Sequence, residues 1–282
     1  MCDDAPMEAT TETSGPYAAD PYDALGDLYD EWVISVTEDI AFYQALAAAA
    51  APGATAVVVE LGAGSGRVTS PLIARGHSVW GVDVATEQLA RSRVRAREAG
   101  HGELMHPVTA DMRELAGSVA RAQLPAAGTV DLVIAPFRAL LHVAADATTV
   151  FAGARELLRP GGMLAFDVFH PTSEAMDGVD GEWQLRRRLD RAAGERWAIW
   201  ERATLADDGD RLTLDVRCDR LDLPTHPQRS ARMLLQTPPP HHWSDALAAA
   251  GLELESVSGW FDESPFEPGM TDSVWVARRA PA

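Results

Sequence analysis

The spacing of apolar residues changes period several times along the chain, and each change marks an element. Val57-Val58-Val59-Glu60-Leu61 is β-branched and nearly unbroken by polar residues, the pattern of a strand covered on both faces. Gly62, Gly64 and Gly66 then predict a tight turn, and helical apolar spacing resumes over residues 67–74. Residues 78–82 read as a second buried strand ending at Asp83, and Thr86 is placed to cap a helix that runs through Leu89 and Val94 to Gly100. Strands are also predicted at residues 104–109 and 130–134. A helix follows over 146–158, Arg159-Pro160-Gly161-Gly162 stops it, and a fifth strand covers 163–169.

This alternation is the rhythm of an α/β, doubly wound, mostly parallel sheet. It breaks after His170. Residues 182–235 alternate in long antiparallel fashion around an Asp207-Asp208-Gly209-Asp210 turn, and Pro238-Pro239-Pro240 closes that stretch. A helix near residues 243–250 and two strands at 253–260 and 273–278 complete the chain. Ahead of the first strand, Tyr17, Tyr22, Leu25, Leu28, Tyr29 and Trp32 recur at helical intervals, and a second helix covers 40–50. The expected organisation is a disordered acidic leader (1–16), a helical lid (17–55), a core (56–180 and 241–282) and an inserted antiparallel substrate platform (181–240).

Charge narrows the partners. A net charge of −18 over 282 residues repels phosphate backbones and anionic membrane surfaces, so neither nucleic acid nor membrane is an expected partner. All 24 basic residues are arginine, which removes Schiff-base chemistry, a phosphate-loop lysine and a lysine base. Only Cys2 and Cys218 are present, which suits a reduced, cytoplasmic setting, and no metal site is expected because His241-His242 and Asp262-Glu263 stand isolated. A homodimer is compatible with the sequence.

The glycine turn acquires meaning from the residues downstream of it. In Glu60-x-Gly-x-Gly-x-Gly the third glycine comes one residue earlier than in the dinucleotide fingerprint. Asp83, 23 residues after Glu60, ends the second strand, where a carboxylate can accept from both ribose hydroxyls, and Asp111 ends the third, where it can meet an adenine amine. With these residues, Met112, Ala135-Pro136-Phe137 and Pro160-Gly161-Gly162, residues 57–279 resemble the class I S-adenosylmethionine-dependent methyltransferases.

That resemblance implies a seven-stranded Rossmann-like sheet ending in a reversed hairpin, with S-adenosylmethionine as cofactor. It implies that Glu60, Gly62, Ala63, Gly64 and Gly66 underlie the amino-acid and ribose portions, that Asp83 and Val84 hold the ribose, and that Asp111 and Met112 frame the adenine. Pro136 and Tyr17 join the same set, and Arg67 is either a partner of the methionine carboxylate or a surface arginine. His142 matches a histidine after strand four of sugar-amine N-methyltransferases and is a candidate proton acceptor or relay; the alternative is a helix-start histidine bonded to backbone. Tyr29, Asp167 and His170 are further catalytic candidates, with lid, turn or packing roles as alternatives. Trp183, Trp197 and Trp200 either wall an acceptor pocket or bury one face of the insertion.

The expected acceptor is a small molecule of specialised, natural-product metabolism. An amine nitrogen comes first, an electron-rich aromatic carbon such as indole next, and oxygen third. A nicotinamide-dependent oxidoreductase and a non-catalytic cofactor-binding regulatory module remain open alternatives; the glycine spacing and the missing lysine count against the former.

Overall fold

A computed structural model of the chain describes residues 20–33, 37–223 and 229–281; the expected leader and Tyr17 lie outside them. Among the described residues three helices come first: α1 (Pro21–Leu25), α2 (Leu28–Val33) and α3 (Glu38–Ala50). Alternating elements follow as β1 (Val57–Leu61), α4 (Thr69–Ile73), β2 (Ser78–Asp83), α5 (Thr86–Glu98), β3 (Met105–Thr109), α6 (Ser118–Arg121), β4 (Val130–Ala135), α7 (Ala147–Leu157) and β5 (Leu158–Phe169). After α8 (Ser173–Met176) come β6 (Gln184–Asp190), β7 (Arg196–Leu205), β8 (Arg211–Arg220) and β9 (Arg229–Gln236). The chain closes with α9 (Pro240–Ala249), β10 (Glu253–Ser258) and β11 (Asp272–Arg278).

The main sheet has seven strands in the order β10-β11-β5-β4-β1-β2-β3. Strands β1 to β5 run parallel, whereas β11 lies antiparallel to β5 and to β10, which is the reversed hairpin. The sheet explains why β1 lacks polar alternation. Val58, Leu132, Ile134 and Ala165 pack on one face with Phe42 and Tyr43 of α3 and Leu72 of α4. Val59, Leu61, Val133 and Phe166 pack on the other with Phe151 of α7 and Trp243 of α9. Both faces are covered by helices, so successive side chains are apolar whichever way they point.

Two expectations are corrected here. Thr86 is the first residue of α5, not its cap; Ala85 holds the cap position, and its N–H is taken by the carboxylate of Asp83 instead. The Pro160-Gly161-Gly162 stop does not interrupt β5, which already starts at Leu158. Gly161 N–H donates to the Arg279 carbonyl and Arg279 N–H to the Gly162 carbonyl, both at 2.9 Å, so the chain terminus pairs with this segment and keeps it in the sheet.

The insertion forms a separate four-stranded antiparallel sheet, β6-β7-β8-β9. Its inner face, including Trp197, Ile199, Val216, Cys218 and Met233, is buried in the same cluster as Leu25 and Leu28 of the N-terminal helices. Charge reinforces that apolar seam, because Asp27 pairs with both Arg191 and Arg229, Glu31 pairs with Arg187, and Trp32 donates to Glu201 at 2.7 Å. The insertion therefore buttresses the N-terminal helices. Among the described residues, no helix is long and apolar enough to cross a membrane.

Candidate functional site

A cavity of about 260 Å³ opens at the carboxyl ends of β1, β2, β3 and β4, where a doubly wound sheet binds its ligands. Its floor is the glycine turn. Gly62 has φ +73°, and a Cβ there would come within 2.7 Å of the Ala139 Cβ, so the turn and the loop after β4 approach only as bare backbone. Gly66 has no place on the cavity wall; at φ +84° a Cβ would meet the Ser92 Oγ at 2.3 Å, so this glycine lets α5 pack against the turn. A Cβ on Gly64 would instead project toward the Tyr29 ring, into space that both residues line.

Asp83 forms one wall. Its Oδ2 accepts from Gly64 N–H at 2.7 Å and its Oδ1 from Ala85 N–H at 2.8 Å, tying the glycine turn to the start of α5. Burial raises its carboxyl above the ordinary range, against the pull of those two bonds. Val84 lies beside it, with Gln88 of α5 behind, whose Nε2 donates to the Tyr22 and Gly26 carbonyls.

Asp111, Met112 and Arg113 supply a second wall. Asp111 caps the short 3₁₀ turn Met112–Glu114 by accepting from Arg113 N–H, and the Arg113 guanidinium closes back on it at 2.6 Å. Burial alone would raise the Asp111 carboxyl, but its bonds to Arg113 outweigh that and hold it below the usual range.

The third wall is the loop after β4, with Pro136, Phe137, Ala139 and His142. The N-terminal helices roof the space with Asp20, Tyr22 and Tyr29. The Tyr22 hydroxyl and His142 Nε2 share a 2.8 Å hydrogen bond, and Tyr22 meets the Tyr29 ring edge-on at 5.4 Å. His142 is exposed where it lines the cavity, and desolvation by the atoms packed around it lowers its imidazole to about 4. Burial drives the Tyr22 phenol well above its ordinary value. Both partners are therefore neutral at neutral pH. Asp20 caps α1, accepting from Tyr22 N–H at 2.8 Å, and burial, with smaller repulsion from Asp83 and Asp23, lifts its carboxyl to about 6.

The cavity thus gathers Gly62, Gly64, Asp83, Val84, Asp111, Met112, Pro136, Tyr29 and His142. Other candidates lie off its walls. Ala63 packs beneath Gly81, where a Cβ would sit 2.9 Å away. Arg67 makes two hydrogen bonds to Asp39 on α3, at 2.9 and 2.5 Å, and stacks its guanidinium over the Phe137 ring. His170 bridges the Ser273 hydroxyl and the Pro238 carbonyl, and Asp167 accepts from Tyr43 and from the loop after β4. No tryptophan of the insertion lines the cavity: Arg202 and Arg217 stack on Trp183, Arg217 also lies over Trp200, and Trp197 faces the core. Of the two readings of these tryptophans, burial and packing within the insertion is the one their contacts in the structure fit.

Asp20, Gln88, Arg113 and Ala139 line the cavity without having been expected there. Asp20 carried a local signal, since Asp-Pro-Tyr is a helix start with proline at the first helical position. Its approach to Asp83 is a tertiary fact that no local pattern encodes.

The sheet order, the glycine floor and the strand-end carboxylates together define a Rossmann-like α/β domain with its cavity at the carboxyl ends of the strands. Residues 58–162 match the family described as "Methyltransferase domain". A curated relative, the ubiquinone biosynthesis O-methyltransferase of Cereibacter sphaeroides, is 30% identical over 131 residues, 46% of this chain and 48% of that protein. The chain thus spans about half the length of the curated relatives it matches. The CcbJ methyltransferase of Streptomyces caelestis superimposes with TM-score 0.75 at 24% identity, covering 93% of this chain and 98% of that one. SAM-bound CalS10, an amino pentose methyltransferase of Micromonospora echinaspora, superimposes with TM-score 0.62 at 23% identity over 88% and 93%. These structural likenesses establish the fold.

Glu60, 2% exposed, is bonded by the Thr69 hydroxyl at 2.5 Å, and burial lifts its carboxyl to about 8. A folded-state value above the unfolded one contributes stability that is complete below the unfolded value of 4.5 and lost as pH rises through about 8. Glu60→Gln keeps the bond from Thr69 and removes the titration. Its melting temperature is therefore expected to exceed that of the parent protein above about pH 8, and the gap to narrow toward about pH 6. Parallel melting curves across that range would refute the assignment.

Proposed function

We propose that this protein transfers a methyl group from S-adenosylmethionine to a small-molecule acceptor, with an amine nitrogen as the favoured target. The observation that carries the reading is the cavity itself: a side-chain-free glycine floor beside a carboxylate whose two oxygens are fixed by backbone N–H groups. The fit is chemical as well as spatial. Gly64 leaves room that a Cβ would fill, and Asp83 keeps further lone pairs for ribose hydroxyls. Three carboxylates line the cavity, against one guanidinium that is already engaged with Asp111, a balance suited to a cationic ligand. When bound, the cofactor supplies an electrophilic methyl group on sulfur.

The chain's own residues then position and shield. Asp83 and the glycine floor hold the donor, Met112 and Pro136 flank it, and Tyr22 and Tyr29 cover it, excluding water. An amine acceptor arrives protonated and reacts only after losing that proton. His142, depressed to about 4, is a weak base at neutral pH and is better suited to orienting the acceptor through a hydrogen bond; Asp20, at about 6, is the more basic group in the cavity. The amine preference rests on the His142 match and on the fold shared with an amino pentose methyltransferase. Carbon and oxygen acceptors, the latter being the kind of target named for the curated O-methyltransferase relatives, are the competing targets.

Calorimetry with S-adenosylmethionine and with NADH tests the donor, and absence of heat with the former would end this reading. Asp83→Ala is expected to weaken binding by about 1–3 kcal/mol through lost charged hydrogen bonds. Because a sulfonium cation favours ionised carboxylates, affinity should rise as pH increases through about 6, and Asp20→Asn should abolish most of that dependence. A pH profile that is the same in both proteins would remove Asp20 from the donor site. Acceptors are sought by S-adenosylhomocysteine release from a panel of amino sugars, simple amines, indoles and phenols. With the acceptor that emerges, His142→Ala should lower kcat by about ten- to a hundredfold while leaving donor affinity unchanged. Equal turnover in the two proteins would exclude His142 from the reaction.

A further inference from the structure

The loop after β4 carries an unusual backbone. Phe137 and Arg138, neither of them glycine, are consecutive left-handed residues at φ 55° and 62°. Each such residue is disfavoured by the approach of its Cβ to the carbonyl oxygen, so two in succession need an external hold. That hold is visible. Phe137 N–H donates to Asp167 Oδ1 at 2.9 Å and Arg138 N–H to Asp167 Oδ2 at 3.0 Å. The Tyr43 hydroxyl completes the set by donating to Oδ1 at 2.7 Å, and Asp167 is 7% exposed near the end of β5.

The consequence reaches the cavity. Pro136, Phe137, Ala139 and His142 all line it, and every one of them belongs to, adjoins or closely follows the left-handed pair. The opposite side of the loop is fixed as well: Arg67, itself bonded to Asp39, lies over the Phe137 ring at 4.8 Å, and Arg138 pairs with Asp272 at 2.7 Å over the Phe169 ring. Those contacts fasten side chains. Asp167 alone takes both backbone N–H groups, and only an ionised carboxylate offers an acceptor to each at once.

We propose that Asp167 is a positioning residue, whose carboxylate holds the Phe137–Arg138 backbone in the left-handed arc that presents Phe137 and His142 to the cofactor cavity. It does not touch the cavity itself, so its action on the site is relayed through the loop. Asp167→Asn is the discriminating change, because an amide can accept one N–H but turns a second donor toward the other. Burial costs that favour a neutral side chain here push the Asp167 carboxyl to about 6, so the carboxylate is retained at a site where ionisation is unfavourable.

The loop's order is read without any ligand by amide hydrogen exchange at Phe137 and Arg138. In Asp167→Asn those two amides should exchange about ten- to a hundredfold faster than in the parent, the range for a lost hydrogen bond to a charged group, while amides in the interior of β4 stay unchanged. Unchanged exchange at both positions would overturn the proposal whatever the protein's activity. The link to the site rests on the methyl-transfer reading and has its own measurement. Asp167→Asn should weaken S-adenosylmethionine binding roughly tenfold, and adding Arg138→Gly, which adopts the left-handed shape without penalty, should restore most of that loss. General destabilisation would predict the reverse, with the glycine making the double variant worse. Failure of the parent protein to bind S-adenosylmethionine refutes the methyl-transfer reading and leaves the exchange result to decide the role of Asp167.

Discussion

Parallel strands end in loops whose backbone N–H groups have no sheet partner, and this chain repeatedly answers that deficit with a carboxylate. Asp83 takes N–H groups from the glycine turn and from the start of α5, Asp111 takes one from the turn that follows β3, and Asp167 takes two from the loop after β4. The acceptors at the top of the sheet are thus anionic side chains, which bond backbone donors more strongly than neutral groups do. Cavity walls built this way are rigid where a ligand must be held. They also leave a concentration of negative charge whose cost in burial is seen in the raised carboxyls of Asp83 and Asp167.

Much of the fold was legible because each signal was local. The run Val57 to Leu61 could only be a strand covered on both faces, and the glycines after it had to turn the chain. The same locality located Asp83, which ends β2, and Asp111, two residues beyond β3, and the change of period after His170 marked the insertion. What escaped depends on distant partners. Asp167 and His170 could be read either as cavity chemistry or as turn and packing residues, because their partners are distant: Asp167 is bonded by Tyr43, 124 residues earlier, and His170 pairs with Ser273, 103 residues later. Arg67 stands next to the glycine turn and invites a ligand carboxylate; α3 brings Asp39 to it. The tryptophans of β7 and Trp183, just before β6, left two readings open, a pocket wall or one buried face, because aromatic residues on one strand do not reveal which sheet face meets the cavity.

The absence of lysine has a structural counterpart. The ion pairs that help tie the N-terminal helices to the rest of the protein all use arginine: Arg191 and Arg229 on Asp27, Arg187 on Glu31, and Arg95 on Asp30, which also receives the Ser65 hydroxyl next to the glycine turn. A guanidinium offers several donors in fixed geometry, so one side chain can serve a carboxylate and a carbonyl together, as Arg95 does with Asp30 and the Ser65 carbonyl. Several of these pairs are partly exposed and individually weak. Their effect comes from arrangement, because they grip the helices from the core side and from the inserted sheet at once.

This two-sided grip explains how an insertion that does not line the cavity can still govern it. The inserted sheet buries its inner face against Leu25 and Leu28, and the helices carrying those leucines also carry Asp20, Tyr22 and Tyr29 over the cavity. Displacing the sheet would therefore move the roof rather than a wall. Under the methyl-transfer reading the roof faces a donor that is cationic before reaction and a neutral thioether afterwards, so the loss of attraction to Asp20 and Asp83 on turnover favours departure of the spent cofactor.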